Sequence, residues 1–175
     1  MEIYLIRHTT VDVPPGYCYG RTNVPLKESF EMEAQHIKDQ IESLHFDKIY
    51  CSPAERCTRL SKYLFGNDYI TDDRVREMSF GVWEGGNWND IVKEEADQWM
   101  KDWINLPTPG GESLIEMKMR VEDFFNELYK TNHTRVAVVT HSGVQRLFKV
   151  LRGEYELKQM FEIEVAFGEV MNFKV

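Results

Sequence analysis

The chain has 175 residues, of which 42% are hydrophobic and 29% charged, and its formal net charge is −8. This composition is typical of a soluble globular domain with a sizeable core, and it excludes the disordered class. A negative net charge without blocks of basic residues makes nucleic acid and anionic membranes poor partners on electrostatic grounds. A site for an anionic ligand must therefore concentrate its positive charge locally.

Cysteine usage and the absence of targeting signals indicate the compartment. Cys18, Cys51 and Cys57 are odd in number and lack metal-ligand spacing, so neither a disulfide framework nor a zinc site is indicated. The chain opens directly on a strand pattern, without a signal peptide, and no apolar stretch is long enough to span a bilayer. We expect a cytoplasmic protein with reduced thiols.

Two predicted strands end in histidine. Residues 2–6 form a short apolar run that ends in Arg7 and His8, and residues 135–140 run in the same way into His141. Strands buried on both faces belong to parallel sheets, whose ligands bind beyond the carboxyl ends of the strands. Imidazole is a poor core filler, so two histidines delivered to one edge favour a functional site over packing.

The segments between these strands alternate helix and strand patterns. Apolar spacing predicts helices over about 27–44, over 88–106 and from 114 onward, with short strands at 47–51 and 69–71. The final residues, 160–175, alternate enough for one or two further strands. The prolines and glycines of 13–21 predict a loop, in which Arg21, and Asn23 just after it, are polar candidates for binding.

Two helix starts are predicted beside the site. Ser52 as N-cap, followed by proline and glutamate, places Arg56 in a first helical turn, where an arginine opposes the helix dipole unless an anion lies between them. Ser142 repeats the capping pattern, so His141 precedes a helix N-terminus that also favours anions.

The segment after the predicted strand 69–71, residues 72–85, combines acidic residues with large apolar residues. Glu77 and Glu84 are both candidates for a general acid there, because apolar neighbours raise the pKa of a carboxyl group, and the sequence does not choose between them. Beyond them, residues 82–109 carry several tryptophans and end in a run of prolines and glycines. We interpret 82–109 as a helical insert or lid within a single domain covering 1–175.

Two histidines, two arginines, two helix N-termini and a carboxyl group at one sheet edge suit a phosphate site. Beyond this chemistry, the chain resembles the histidine phosphatase superfamily, also called phosphoglycerate mutase-like. The motifs that carry the resemblance follow the family's order over nearly the whole chain: Leu5–His8, Tyr19–Leu26, Cys51–Arg56, Arg76–Gly85, Gly110–Ser113 and Thr140–Gly143.

The resemblance implies a three-layer α/β/α sandwich around a mostly parallel, phosphoglycerate mutase-like sheet. It implies that His8 is a nucleophile that becomes a phosphohistidine, that Glu77 is the proton donor, and that no metal or other cofactor is needed. The phosphoryl oxygens would be held by Arg7, Arg56 and His141. Weaker substrate contacts would come from five residues: Tyr19, Gly20, Arg21, Asn23 and Ser142.

Within the superfamily, Arg7-His8-Thr9 followed by Cys18–Thr22 looks most like the α-ribazole phosphatase group of cobalamin nucleotide-loop assembly. The expected substrate is therefore a small phosphomonoester, α-ribazole 5′-phosphate. The alternatives are a broad-specificity phosphatase, phosphoglycerate mutase-like phosphotransfer and, from another class, a non-catalytic phospho-ligand binding protein. A homodimer is left open, and the remaining histidines are interpreted as surface residues: His36, His45 and His133.

Overall fold

The fold is built on one five-stranded sheet. The structure, a computed structural model, describes residues 1–175. The strands are β1 (Glu2–Arg7), β2 (Lys48–Cys51), β3 (Ile70–Thr71), β4 (Arg135–Thr140) and β5 (Val170–Lys174). They lie in the order β3-β2-β4-β1-β5. The first four run parallel and β5 runs antiparallel to β1, which confirms the mostly parallel sheet.

Five α-helices connect and cover the strands: α1 (Phe30–Ile41), α2 (Glu55–Phe65), α3 (Lys93–Lys101), α4 (Leu114–Leu128) and α5 (Ser142–Leu151). Short 3₁₀ turns occupy Asp73–Val75, Gly81–Trp83, Trp88–Asp90 and Leu157–Glu162. None of the helices has both the length and the apolar character needed to cross a bilayer.

The two faces of the sheet carry separate apolar cores. Because successive strand residues point to opposite faces, Leu5 packs with Phe124 of α4 and Leu147 of α5, while the next residue, Ile6, packs with Ile37 of α1 and with α2. Both faces of the sheet are therefore covered by helices. The predicted three-layer α/β/α sandwich is confirmed.

Strand pairing positions the site. In the β1–β4 register Arg7 lies opposite Thr140, so the residues that follow, His8 and His141, leave the sheet side by side. Strand β2 pairs with β4 on the other side and ends at Cys51, next to Ser52. Parallel strands end at the same edge, and here that edge gathers the charged and polar residues of three strands.

Three local predictions were wrong. Helix α2 begins at Glu55 with Ala54 as its N-cap residue, and the Ser52 hydroxyl, 2.7 Å from the His141 ring, accepts only from the backbone N–H of Ala54 before the helix. The helix predicted over 88–106 is only α3, because the Asn87 side chain caps a separate 3₁₀ turn that carries Trp88. Helix α5 begins at Ser142 itself, so its N-cap residue is His141 and not the serine. The last segment contributes one strand, β5, as one of the two predicted alternatives has it.

Candidate active site

The two ring nitrogens of His8 have different partners. Nδ1 lies 2.8 Å from the carbonyl oxygen of Thr9, and Nε2 lies 3.3 Å from Nε of Arg56. A carbonyl only accepts and a guanidinium only donates, so the proton is on Nδ1 and the lone pair is on Nε2. Burial, and then the charge of Arg56, lower the pKa of His8 well below its ordinary 6.5. His8 is therefore neutral near pH 7.

Arg56 is buried from the first turn of α2 without an acidic partner. It is 1% exposed, and its two terminal nitrogens donate to the carbonyl oxygens of Gly20 at 2.7 Å and Thr22 at 3.1 Å. Its Nε–H points at His8, so the charge of the guanidinium is directed at the atom that would attack phosphorus. A buried cation without a carboxylate partner suits an anionic ligand.

Arg7 brings a second guanidinium to the same edge. One of its terminal nitrogens donates to the carbonyl oxygen of Val165 at 2.6 Å, and its guanidinium carbon lies 3.8 Å from the ring centre of Phe167. Its Nε–H is buried and has no acceptor within the protein. A buried donor without an acceptor suits an anionic ligand, which would supply the missing partner.

His141 lies beside His8, with the ring centres 5.3 Å apart and an angle of 67° between the ring planes. Its Nε2 is 2.7 Å from the hydroxyl of Ser52, which fixes the ring's orientation. Burial, and then the charge of Arg56, lower the pKa of His141 well below its ordinary value. The free site therefore holds two neutral imidazoles between two arginines.

Glu77 faces the histidines from the loop after β3. Its carboxylate accepts from the backbone N–H of Met78 at 3.0 Å and of Gly143 at 3.2 Å, the latter at the N-terminus of α5. A Cβ on Gly143 would lie 2.0 Å from Oε1 of Glu77. The close approach of carboxylate and helix therefore requires glycine at 143.

A cleft of about 210 Å³ opens over these groups. One end contains Arg7, His8 and Glu77, and Tyr19, Gly20 and Ser142 also line it. The structure thus brings together the predicted residues 7, 8, 56, 77 and 141 with three of the five weaker substrate candidates. No group of three His, Cys, Asp or Glu side chains is placed to hold a metal ion.

Arg21 and Asn23, the other two weaker substrate candidates, do not line this cleft. Arg21 is exposed and pairs with Glu112 at 3.2 Å, while Asn23 accepts from the backbone N–H of Glu55 on the outer surface. Both follow Gly20 in a loop that turns its carbonyl groups, not these side chains, toward Arg56. His36 and His45 are exposed and His133 is half-buried.

The carboxylate of Glu84, the second candidate for the general acid, is hydrogen-bonded to the loop that follows Gly20. Its carboxylate accepts from the backbone N–H groups of Arg21, Thr22 and Phe80 and from the Thr22 hydroxyl. Burial alone would raise its pKa, but these hydrogen bonds outweigh burial and the pKa is lowered. Glu84 thus anchors the carbonyls that hold Arg56 and stays ionised.

The rest of the cleft was not found from the sequence. Its outer end is lined by Tyr17, Phe80, Trp88 and Phe161, which come from three separate loops. Arg146, one turn after Ser142 on α5, lines it too, and its Nε donates to the carbonyl oxygen of Ile163 at 2.8 Å. A one-turn spacing from Ser142 could have indicated that Arg146 shares its helix face.

Known proteins resemble the whole chain. The model of the histidine phosphatase superfamily (branch 1) matches residues 3–174. An adenosylcobalamin/alpha-ribazole phosphatase of Escherichia coli is 28% identical over 84% of this chain and 76% of its own length. Phosphoserine phosphatase 1 of Hydrogenobacter thermophilus is 28% identical over 83% and 73%. The crystal structure of the alpha-ribazole phosphatase from Shigella flexneri superposes with a TM-score of 0.89 at 24% identity, covering 100% of this chain and 91% of that one.

Proposed function

As a member of the histidine phosphatase superfamily (branch 1), the chain is a phosphatase, and we propose that it hydrolyses α-ribazole 5′-phosphate through a phosphohistidine on His8. The observation that carries the mechanism is the hydrogen bonding of His8. Its Nδ1 proton is held by the Thr9 carbonyl, so the basic lone pair is on the nitrogen that faces Arg56 and the cleft. A neutral, oriented imidazole is the form that attacks phosphorus.

In the first step Nε2 of His8 bonds to phosphorus while the bond from phosphorus to the ester oxygen breaks. The leaving alkoxide takes a proton from Glu77, which enters the step as a carboxylic acid. In the second step a water oxygen attacks the phosphohistidine, Glu77 takes the proton back from that water, and His8 leaves with its electron pair. The products are the free alcohol and inorganic phosphate.

The arginines supply the electrostatic part of catalysis. The transferring phosphoryl group carries negative charge on its equatorial oxygens, and fixed cations directed at those oxygens stabilise it. Arg56 donates its Nε–H to His8 in the free enzyme, and we expect this donor to turn to a phosphoryl oxygen when substrate enters. Arg7 offers its unpaired Nε–H, and neutral His141 adds a hydrogen-bond donor without adding charge.

The shape of the cleft supports a nucleoside-like leaving group. The substrate's benzimidazole ring needs an apolar, aromatic surface a few ångströms from the phosphate, and Trp88 and Phe80 form such a corner with ring centres 4.9 Å apart. Trp88 is partly exposed and joins Trp83 and Trp99 in an aromatic cluster of the 82–109 segment. We propose that this segment acts as the specificity lid.

Arg146 favours a second candidate substrate class. It forms no ion pair, and its terminal nitrogens have no acceptor within the protein, although it lines the same cleft. A fixed, unpaired guanidinium beyond the phosphate site matches a carboxylate on the leaving alcohol. Phosphoserine and 3-phosphoglycerate carry such a group, so a phosphatase of small acidic phosphoesters is the alternative.

Hydrolysis assays in the presence of EDTA test the proposal. The substrates are α-ribazole 5′-phosphate, O-phosphoserine, 3-phosphoglycerate and p-nitrophenyl phosphate. We expect the highest kcat/KM with the ribazole ester, and a loss of at least about 10³-fold in His8→Ala on every substrate. His36→Ala, which removes an exposed histidine, is the matched control and should leave all rates unchanged.

Each other outcome has a defined meaning. A higher kcat/KM for O-phosphoserine or 3-phosphoglycerate would contradict the proposed substrate but leave the phosphohistidine mechanism intact. Transfer of the phosphoryl group to another alcohol instead of water would favour the mutase alternative. Hydrolysis that survives His8→Ala would contradict the phosphohistidine mechanism.

A further inference from the structure

We infer that Arg120 on α4 is a positioning residue for the general acid, setting where the Glu77 carboxyl group meets the leaving oxygen. The inference rests on the proposed function, in which Glu77 donates and recovers the proton. Arg120 does not line the cleft, and every hydrogen bond it makes goes to a backbone carbonyl of the 74–77 segment or to Glu112. It acts on the backbone that carries Glu77.

All five N–H donors of Arg120 have an acceptor. One terminal nitrogen donates to the carbonyl oxygens of Arg74 at 2.7 Å and Arg76 at 2.8 Å. The other donates to the carbonyl oxygen of Glu77 at 3.1 Å and to Glu112 at 2.6 Å, and Nε donates to the second Glu112 oxygen at 3.0 Å. A guanidinium with every donor used holds three backbone carbonyls in fixed positions.

Glu112 holds the other side of the same segment. Besides its bidentate pair with Arg120, its carboxylate accepts from the backbone N–H of Ser79 at 2.9 Å. The side chains of Arg120 and Glu112 are 16% and 13% exposed, so water screens the pair only partly. The pair therefore binds the chain both before and after Glu77, and Glu77 itself through its carbonyl.

The carboxyl end of Glu77 packs against the first turn of α5. It lies against the backbone of Gly143 so closely that a single added carbon would overlap it, and the N–H of Gly143 binds it at 3.2 Å. A shift of about 1 Å at a proton-transfer site costs on the order of 10²-fold in rate. Proton donation to the leaving oxygen therefore depends on the backbone position that Arg120 fixes.

Lysine cannot replace this arrangement. Its ammonium group keeps the charge beside Glu112 but has three donors on a flexible stem in place of five in a planar fork. Arg120→Lys thus separates geometry from charge, and Arg120→Met removes both. If geometry is what matters, the two variants should behave alike in catalysis even where their thermal stabilities differ.

Leaving-group dependence distinguishes positioning of the acid from general structural damage. An alkyl alkoxide needs a proton as it departs, whereas p-nitrophenolate leaves without one. We expect Arg120→Lys and Arg120→Met to lower kcat on α-ribazole 5′-phosphate or O-phosphoserine by about 100-fold. On p-nitrophenyl phosphate, phosphorylation of His8 measured by the first-turnover burst of p-nitrophenolate should fall less than about threefold.

Arg74→Met is the matched control. Arg74 ties the same segment to the same helix through Asp123 and Glu127, but it does not bind the Arg76 or Glu77 carbonyls. We expect Arg74→Met to lose stability without the difference between alkyl and aryl esters. In Glu77→Gln, which already lacks the acid, adding Arg120→Lys should cost little further on alkyl esters.

The outcomes separate the inference from the proposed function. An equal loss on alkyl and aryl esters in the Arg120 variants, or the same alkyl-selective loss in Arg74→Met, would overturn the positioning role while leaving the phosphatase mechanism intact. A wild-type enzyme whose hydrolysis does not depend on His8 would overturn the mechanism itself, and with it the role of Arg120.

Discussion

The two ends of the cleft are built in different ways. At the phosphate end, His8, Arg56 and His141 are 2%, 1% and 0% exposed and project from strand ends or a helix start. At the outer end, Trp88 and Phe161 are 36% and 47% exposed and project from 3₁₀ turns. In the proposed mechanism, the residues that bind the constant phosphoryl group are fixed by the sheet, and those that face a variable leaving group lie on loops, which change more easily.

The difference predicts different mutational effects at the two ends. Changes to the residues proposed to bind the phosphoryl group should reduce turnover of every ester by a similar factor, because all substrates share that group. Changes that displace Glu77 should affect alkyl esters most, because only their leaving oxygen needs its proton. Changes at the outer end should alter the ranking of substrates and affect chemistry little.

Among the changes that compare the two ends and keep every charged side chain, the largest effect should follow from Gly143→Ala. The added Cβ would overlap Oε1 of Glu77 and displace the carboxyl group, so we expect kcat on alkyl esters to fall about 10²-fold. Gly86→Ala is the control, since its Cβ would meet nothing closer than 3.8 Å. Near-wild-type turnover in soluble, folded Gly143→Ala would show that the position of Glu77 does not limit the reaction.

An intermediate, substrate-selective effect should follow from changes at the outer end. We expect Trp88→Ala to lower kcat/KM for α-ribazole 5′-phosphate about tenfold while changing O-phosphoserine little, because aromatic contact is lost. Arg146→Met should show the reverse selectivity if Arg146 binds a carboxylate. Val82→Ala, at a side chain 77% exposed in the same segment, is the control. Equal losses on both esters would contradict the separation of the two ends.

The smallest effect concerns stability at low pH. His8 and His141 have pKa values far below 6.5 in the folded protein, mainly because of burial, so the unfolded chain binds more protons below that pH. Stability is unaffected by them above pH 6.5 and falls as the pH drops below it, by roughly 1 kcal/mol per pH unit for each histidine. Urea unfolding of wild type and His141→Asn between pH 5 and 8 measures this, and His36→Asn should not change it. If the free energy of unfolding changed with pH in the same way in wild type and in His141→Asn, the His141 ring would not be a buried neutral group.

The phosphate end could be predicted from the sequence because its signals are local. Two short apolar runs predict strands, the first followed by Arg7 and His8 and the second by His141. Each pattern therefore predicts both the strand and the edge of the sheet at which its histidine lies. The tautomer of His8 also depends on a local contact, because the carbonyl group that fixes it belongs to the next residue, Thr9.

The outer end and the supporting residues depend on contacts between distant parts of the chain. Arg120 reaches carbonyls more than forty positions earlier, and Trp88 meets Phe80 only after the intervening chain has folded. Ser52 was predicted from local sequence to cap α2, but the helix begins three residues later and the Ser52 hydroxyl contacts His141, a residue distant in sequence. Arg21 and Asn23 do not line the cleft, because their loop turns its carbonyl groups toward Arg56, and the sequence does not show whether a loop presents its side chains or its carbonyls.

The most direct test of the mechanism is to trap the phosphoenzyme. Wild-type enzyme is mixed with p-nitrophenyl phosphate, quenched in alkali within the first turnover and mapped by mass spectrometry of its peptides. We expect one phosphoryl group on His8, stable in alkali, lost in acid and absent from His8→Ala. Burst-free turnover with an unmodified His8, or phosphate on any other residue, would contradict the phosphohistidine mechanism.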